Sequence, residues 1–335
     1  MKITTGLLLL ILGAAHAQTS APLTRIAFGS CSRDELKQLW PDVVAQKPQL
    51  WIWGGDNIYG DSHDASVLRK KYDAQKREPG YQILLKTCPV IGTWDDHDYG
   101  VNDGGKYFSK KEESKAELLR FLDVPPNDPV RTHPGVYTSY TYGSGKQKIK
   151  ILLLDTRAFR DTLVASTTKG KRYDPNPTGD VLGEAQWKWL EQELTHSDAA
   201  IHLIVSSIQF LSGEHGFECW GNFPIARQRM IDLISASKPN LTVILSGDRH
   251  IAEFSKMSIP GLAYPLYDFT SSGLTHTVSK EVRDFAEPNP YRVGKRVAEK
   301  NFGLLIIDWS GRKPRVTMEI RGENNSRWET PIVVE

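Results

Sequence analysis

Five short apolar runs in this sequence end on residues that can hold a metal or move a proton. Ile26–Phe28 leads to Gly29-Ser30-Cys31, and Leu50–Trp53 leads to Gly54-Gly55-Asp56, with Tyr59 three residues on. Val90–Ile91 precedes Gly92-Thr93-Trp94-Asp95-Asp96-His97-Asp98. Leu154 precedes Asp155-Thr156-Arg157, and Leu245 precedes Ser246-Gly247-Asp248-Arg249-His250. Cys31, Tyr59 and Asp56 offer a thiolate, a phenolate and a carboxylate. That anionic set suits a trivalent ion such as Fe3+, with His250 completing it. Asp96 and Asp248 are hard oxygen donors. With Asp56 as a two-oxygen bridge they favour Ca2+, or Mn2+, Mg2+ or Zn2+, at a second position. Two such ions clamp a phosphate ester and lower the pKa of a bound water from about 15.7 toward 7. His97, beside Asp96, is placed to protonate a leaving oxygen, with Asp98 or Asp95 orienting its ring. Arg157 can grip a phosphate oxygen through its planar fork, or pair with Asp155 as an ordinary ion pair.

Side chains used this way need rigid supports, and the apolar runs supply them. Ile26–Phe28, Leu50–Trp53, Val90–Ile91, Ile149–Leu154, Ile201–Ser206, Leu241–Leu245, Tyr264–Phe269 and Phe302–Ile307 read as buried strands. Between them lie helical patterns over Glu184–Leu194 and Ala226–Ala236. Ser109-x-x-Glu112 reads as a capping box opening a helix to about Leu122. Strands alternating with helices predict an α/β layered fold, whose strand tips are where ligands bind. Toward the C-terminus strands follow one another, Val316–Ile320 last, which predicts antiparallel members there. Two polar stretches, Arg160–Asp180 and Thr275–Lys300, are long for loops and predict functional segments.

Met1–Ala17 carries Lys2, an apolar run over Leu7–Ala15 and the small-x-small triplet Ala15-His16-Ala17, the pattern of a cleaved secretory leader. Residues 18–335 then form one domain, exported to the periplasm or secreted, with no later stretch long enough to span a membrane. The formal charge of +2 falls to +1 once the leader takes Lys2 and no acid with it. Such near-neutrality marks no nucleic-acid surface, so an anionic substrate would be met by local cations. Three cysteines leave an odd thiol. Cys88 and Cys219 are the candidates for a pair, and Cys31 is the functional thiol.

Gly-Asp-x-x-Tyr at 55–59, the Asp96-His97 pair and the closing Gly-x-x-His resemble the calcineurin-like metallophosphoesterases. Within them the sequence is similar to the alkaline phosphatase D (PhoD-like) group. The likeness rests on Gly-Ser-Cys at 29–31, Trp-Asp-Asp-His-Asp at 94–98, Leu-Asp-Thr-Arg at 154–157 and Gly-Asp-Arg-His at 247–250. Thr-Ser-Ser-Gly at 270–273 and Asn-Phe-Gly at 301–303 add to it. It runs from about Arg25 to Trp309. The resemblance implies a four-layer α/β/β/α sandwich with mixed sheets, and hydrolysis of phosphate mono- or diesters at an iron site with calcium nearby. By the same resemblance Cys31, Asp56, Tyr59 and His250 hold the first metal, and Asp56, Asp96 and Asp248 hold the second. Asn102 contributes to a calcium site. The Val-x-x-His motif of the related purple acid phosphatases has no histidine here. His202 lies at the opposite end of that strand, and Gln209 is the nearest substitute. Two other readings use the same residues: an exported protein that binds a phosphate ligand or calcium without turnover, and a hydrolase of another ester.

Overall fold

The computed structural model describes residues 21–279 and 287–335, so the expected leader at 1–17 lies outside the described residues. The chain order begins with strand β1 (Arg25–Gly29), helix α1 (Trp40–Ala45), strand β2 (Leu50–Gly54), helices α2 (Ala65–Arg77) and α3 (Pro79–Thr87), and strand β3 (Val90–Thr93). Helices α4 (Asp96–Tyr99) and α5 (Lys111–Phe121) come next, followed by strands β4 (Thr138–Tyr142) and β5 (Ile149–Leu153) and the small ribbon β6 (Val164–Ala165) and β7 (Tyr173–Asp174). Helix α6 (Gly183–Thr195), strand β8 (Ile201–Val205), helix α7 (Pro224–Ser237) and strand β9 (Thr242–Ser246) form the next stretch. The chain closes with β10 (Ala252–Met257), β11 (Leu266–Ser271), β12 (Arg292–Val297), β13 (Phe302–Asp308), β14 (Arg315–Arg321) and β15 (Ile332–Val334).

The strands build two large sheets, ordered β15-β14-β13-β1-β2-β3 and β12-β10-β11-β9-β8-β5-β4. In the first, β1, β2 and β3 are parallel, and β13 to β15 join antiparallel. In the second, β5, β8, β9 and β11 are parallel, flanked by antiparallel β4, β10 and β12. The alternation of side chains along each strand sorts the core into three layers. Ile26, Phe28, Leu50 and Ile52 face Ile151, Leu153, Leu203, Val205, Val243 and Leu245 between the sheets. Ala27, Trp51 and Trp53 face outward onto Trp40, Tyr72, Tyr81 and Phe121 of α1, α2, α3 and α5. Leu152, Ile204 and Ile244 face the other way, onto Trp187, Leu190, Met230 and Ile234 of α6 and α7. Both faces of each central strand are therefore buried, which is why the strands read as unbroken apolar runs. Phe28 and Phe269 meet edge to face across the sheet interface, with centroids 4.8 Å apart. The result is the expected α/β/β/α sandwich.

One local expectation is corrected. Helix α5 starts after Lys110, which makes no side-chain cap, so Ser109 does not open a capping box. Helix α2 is capped instead by Asp64, whose carboxylate accepts from the Ser66 amide at 2.8 Å. Strands β4, β10 and β12 are polar or short in their apolar pattern and escape a reading by periodicity. Among the described residues no helix is long and apolar enough to cross a membrane.

Candidate metal centre and active site

Parallel strands send their C-terminal tips to one edge of the sandwich, and the turns beyond β1, β2, β3 and β9 meet there. The chain must reverse sharply just past each strand to aim a side chain back across the edge. Cys31, Asp56, Asp248 and His250 accordingly sit at positive φ, at 61°, 48°, 68° and 55°. Few non-glycine residues adopt this region, and holding one there costs about 1–3 kcal/mol. Four such residues in one place mark geometry held for a purpose other than stability. Gly55, at φ 100°, clears the same turn: a Cβ on it would stand 2.6 Å from that of Asp95.

The convergence is close. Cys31 Sγ lies 3.5 Å from Asp56 Oδ2, and Tyr59 Oη lies 3.5 Å from the same oxygen and 2.9 Å from His250 Nε2. Cys31, Asp56 and His250 present one ligand atom each within 4.8 Å of one another. So do Asp95, Asp96 and Asp248, and Asp56 and Asp96 share such a group with His97. Asp56, Asp95 and Asp96 are buried, and Asp248 is half-buried. Burial, then the charges of Asp96 and Asp95, push the Asp56 carboxyl well above its ordinary range; burial and Asp95 do the same to Asp248. Burial lifts the Cys31 thiol and the Tyr59 phenol as well. Burial also acts to raise Asp96, but the positive charges of Arg157 and His97 outweigh it and leave that acid low. So many anionic donors pressed together out of water are unfavourable unless positive charge joins them. The donor set thus fits cations: thiolate, phenolate and imidazole on one side of Asp56, carboxylates on the other.

His97 lies over the Tyr59 ring with centroids 4.1 Å apart. Its Nδ1 is 2.7 Å from Asp61, so neither Asp98 nor Asp95 orients the ring. Asp98 instead accepts from the Asn57 amide, the Tyr72 hydroxyl and the Asp95 amide, and fastens the Asp56 turn to the next one. Burial works against protonating His97, but the bond to Asp61 and the charge of Asp96 lift its pKa above the ordinary value.

Arg157 is corrected more strongly. It is fully buried, with Nε donating to Asp95 at 2.5 Å and Nη1 to Glu218 at 2.6 Å. Glu218 also meets Arg160 at 2.8 Å. No substrate oxygen reaches a guanidinium enclosed in that way. Asp155 does not pair with it through the side chain either; its carboxylate accepts from the Arg157 and Ala158 amides and from the Trp94 indole.

A cleft of about 280 Å³ opens over the acids, walled by Asp96, His97, Asp248 and His250 together with Asn102, Asp103, Arg172 and Arg249. Asn102 stands at the exposed rim of it. Gln209 points elsewhere, donating to Glu253 and Thr270 at 2.9 Å, so it does not replace the missing histidine. Ser207 holds the tip beyond β8 and donates to Asp95 at 2.7 Å. His202 is remote, between Ser197 and Asn240. All three cysteines are free and buried, so Cys88 and Cys219 do not pair. Trp220 packs in the core beneath α6 and α7 and does not line the cleft.

Four participants were not anticipated. Asp61 orients His97, and Asp103 and Glu218 form a further acidic group with Asp96. His276 brings Nε2 to 3.2 Å from Tyr59 Oη, its ring 4.4 Å from that of His250. His276 follows β11 by a short turn, so the same inspection of strand tips extended to β11 would have found it. The other three lie in loops and carry no such signal.

Three comparisons relate the chain to known proteins. The family model described as PhoD-like phosphatase matches residues 26–287. The curated alkaline phosphatase D of Bacillus subtilis (strain 168) is 25% identical over 285 residues, which make up 72% of this chain and 48% of that protein. The chain thus spans about half the length of that relative. A solved structure described as that of PhoD superposes with a TM-score of 0.70 at 16% identity, covering 95% of this chain and 69% of that one. That likeness bears on the fold.

Proposed function

Because this chain belongs to the PhoD-like phosphatase family, we propose that it is an exported metal-dependent phosphoesterase acting on small phosphate mono- or diesters. The observation that carries the proposal is the meeting of His97 with Asp96 and Asp248 in one open cleft, with buried Asp56 grouped against Asp96 and His97. Cys31, Asp56, Tyr59 and His250 would hold Fe3+. Asp56, Asp96 and Asp248 would hold Ca2+, or Mn2+, Mg2+ or Zn2+, with Asn102 nearby. Bound there, such ions supply Lewis acidity toward the phosphate and an acidified water.

The remaining chemistry belongs to the side chains. His97 keeps Nδ1 on Asp61, which leaves the opposite ring nitrogen to deliver a proton to the leaving oxygen. Arg172 and Arg249, in the cleft wall, meet the charge on the non-bridging phosphate oxygens in the part first read for Arg157. Arg157 holds Asp95 and Glu218 in place behind the acids. Hydrolysis of an aryl phosphate and of a bis-aryl phosphodiester, before and after chelation and with each metal added back, tests the proposal. A metal-loaded protein inert toward both esters would favour a binding protein or a hydrolase of another ester.

A further inference from the structure

A second cavity of about 310 Å³ adjoins the cleft over the acids, with Asn102 and Asp103 lining both. The second cavity is as mixed in polarity as the first, with Arg160 and Thr162 in its lining, but it is richer in Tyr and Phe rings. Its wall includes Val101, Tyr107, Phe108, Leu163 and Tyr173, drawn from the loop after α4 and from the long Arg160–Asp180 segment. Tyr107 is 73% exposed, a large ring left open to solvent beside the cleft. Its face is met by the Lys106 ammonium at 5.2 Å. Asp103, at the junction, is engaged by the Tyr173 hydroxyl and, at 2.8 Å, by Arg172. Arg172 thus offsets the Asp103 carboxylate at that junction.

Resting on the phosphoesterase reading, we propose that this second cavity receives the substituent that stays on phosphorus, and that it selects flat apolar substituents. His97 lines the first cavity and not the second, so the departing oxygen remains beside its proton donor. The group directed over Asp103 is then the one that needs no proton. Aromatic and aliphatic walls reward an apolar group there by removing it from water. Tyr107 and Leu163 are the selecting residues, and neither touches the acid cluster.

The test compares phenyl para-nitrophenyl phosphate with methyl para-nitrophenyl phosphate, which share a leaving group and differ only in the retained substituent. Para-nitrophenyl phosphate, which has none, is the third substrate. The metal-loaded protein should favour the phenyl diester over the methyl diester by about tenfold in kcat/KM, chiefly through KM. Tyr107→Ala and Leu163→Asp should each remove most of that preference, leaving the methyl diester and the monoester unchanged. Because the Tyr107 side chain is exposed, its removal does not threaten the fold. Equal kcat/KM for the two diesters in the unsubstituted protein, or the same loss on all three substrates in both variants, overturns the pocket assignment alone. No turnover of any of the three overturns the phosphoesterase reading, and the pocket assignment falls with it.

Discussion

His97 Nδ1 stands 2.7 Å from one carboxylate oxygen of Asp61 and 2.8 Å from the other. The carbonyl of His97 in turn accepts from the amides of Gly60 and Asp61. The ring is thereby fixed by the turn that follows Tyr59. His97→Ala should cut turnover roughly 10²–10⁴-fold for esters with poor leaving groups. Activated aryl esters, whose leaving groups need little protonation, should lose much less. Asp61→Asn should show the same leaving-group dependence at smaller amplitude, in kcat more than in KM. Equal losses across both kinds of ester would remove His97 from the acid role.

Arg157 separates a structural from a substrate-binding role. Replacing it with Met leaves Asp95 without its ion-pair partner and Glu218 with Arg160 alone, both carboxylates 1% exposed. Breaking a buried ion pair in this way costs about 3–5 kcal/mol. Urea unfolding of Arg157→Met should show that loss, with catalysis falling as the fold loosens. A variant of unchanged stability with a raised KM would return Arg157 to the phosphate.

Asp56 should reveal a conflict between stability and function. With its carboxyl raised by burial and by neighbouring acids, Asp56→Asn relieves repulsion while keeping a residue type that tolerates positive φ. In chelated protein the substitution should raise stability by about 0.5–2 kcal/mol. Added metal should stabilise the unsubstituted protein more than the variant, and activity should be lost in the variant. Calorimetry with and without chelator checks both halves. A variant less stable than the parent in chelator would show that the acids do not repel.

Thiolate and phenolate bound to Fe3+ give visible charge-transfer absorption. Iron-loaded protein should be coloured, and Cys31→Ser or Tyr59→Phe should each remove a band. His276→Ala should shift the phenolate band without abolishing it, because Nε2 lies 3.2 Å from the Tyr59 oxygen. A colourless, iron-free and fully active protein would exclude this set of ligands.

His202 provides a pH test away from the site. The Asn240 carbonyl can only accept, so Nδ1 carries the proton, and Nε2 then accepts from Ser197 at 2.7 Å. Burial pushes its pKa down to about 4, against about 6.5 in the unfolded chain. The unfolded state therefore binds the proton first as pH falls. The stability contributed by neutral His202 is present above pH of about 6.5 and is lost down to about 4, at most about 3 kcal/mol. His202→Gln should flatten the dependence of unfolding free energy on pH across that window. An unchanged slope would show that this ring does not carry it.

The types of donor, their order along the chain and the layers that carry them are legible without coordinates. Each depends on a few consecutive residues: an apolar run, the glycine after it, the acid or thiol beyond. Trp51 and Trp53 alternate with Leu50 and Ile52 because a strand turns its side chains by halves, and both sets read as buried. Which acid holds His97, and whether Arg157 faces a ligand or the interior, were decided elsewhere. Asp61 and Glu218 reach their partners only after loops fold back, with Asp61 at φ 42°. A loop's path is set by many weak contacts far apart in sequence, and a one-residue change in where it turns redirects every side chain on it. The strand tips carry local signatures; the groups that orient and neutralise them come from across the fold.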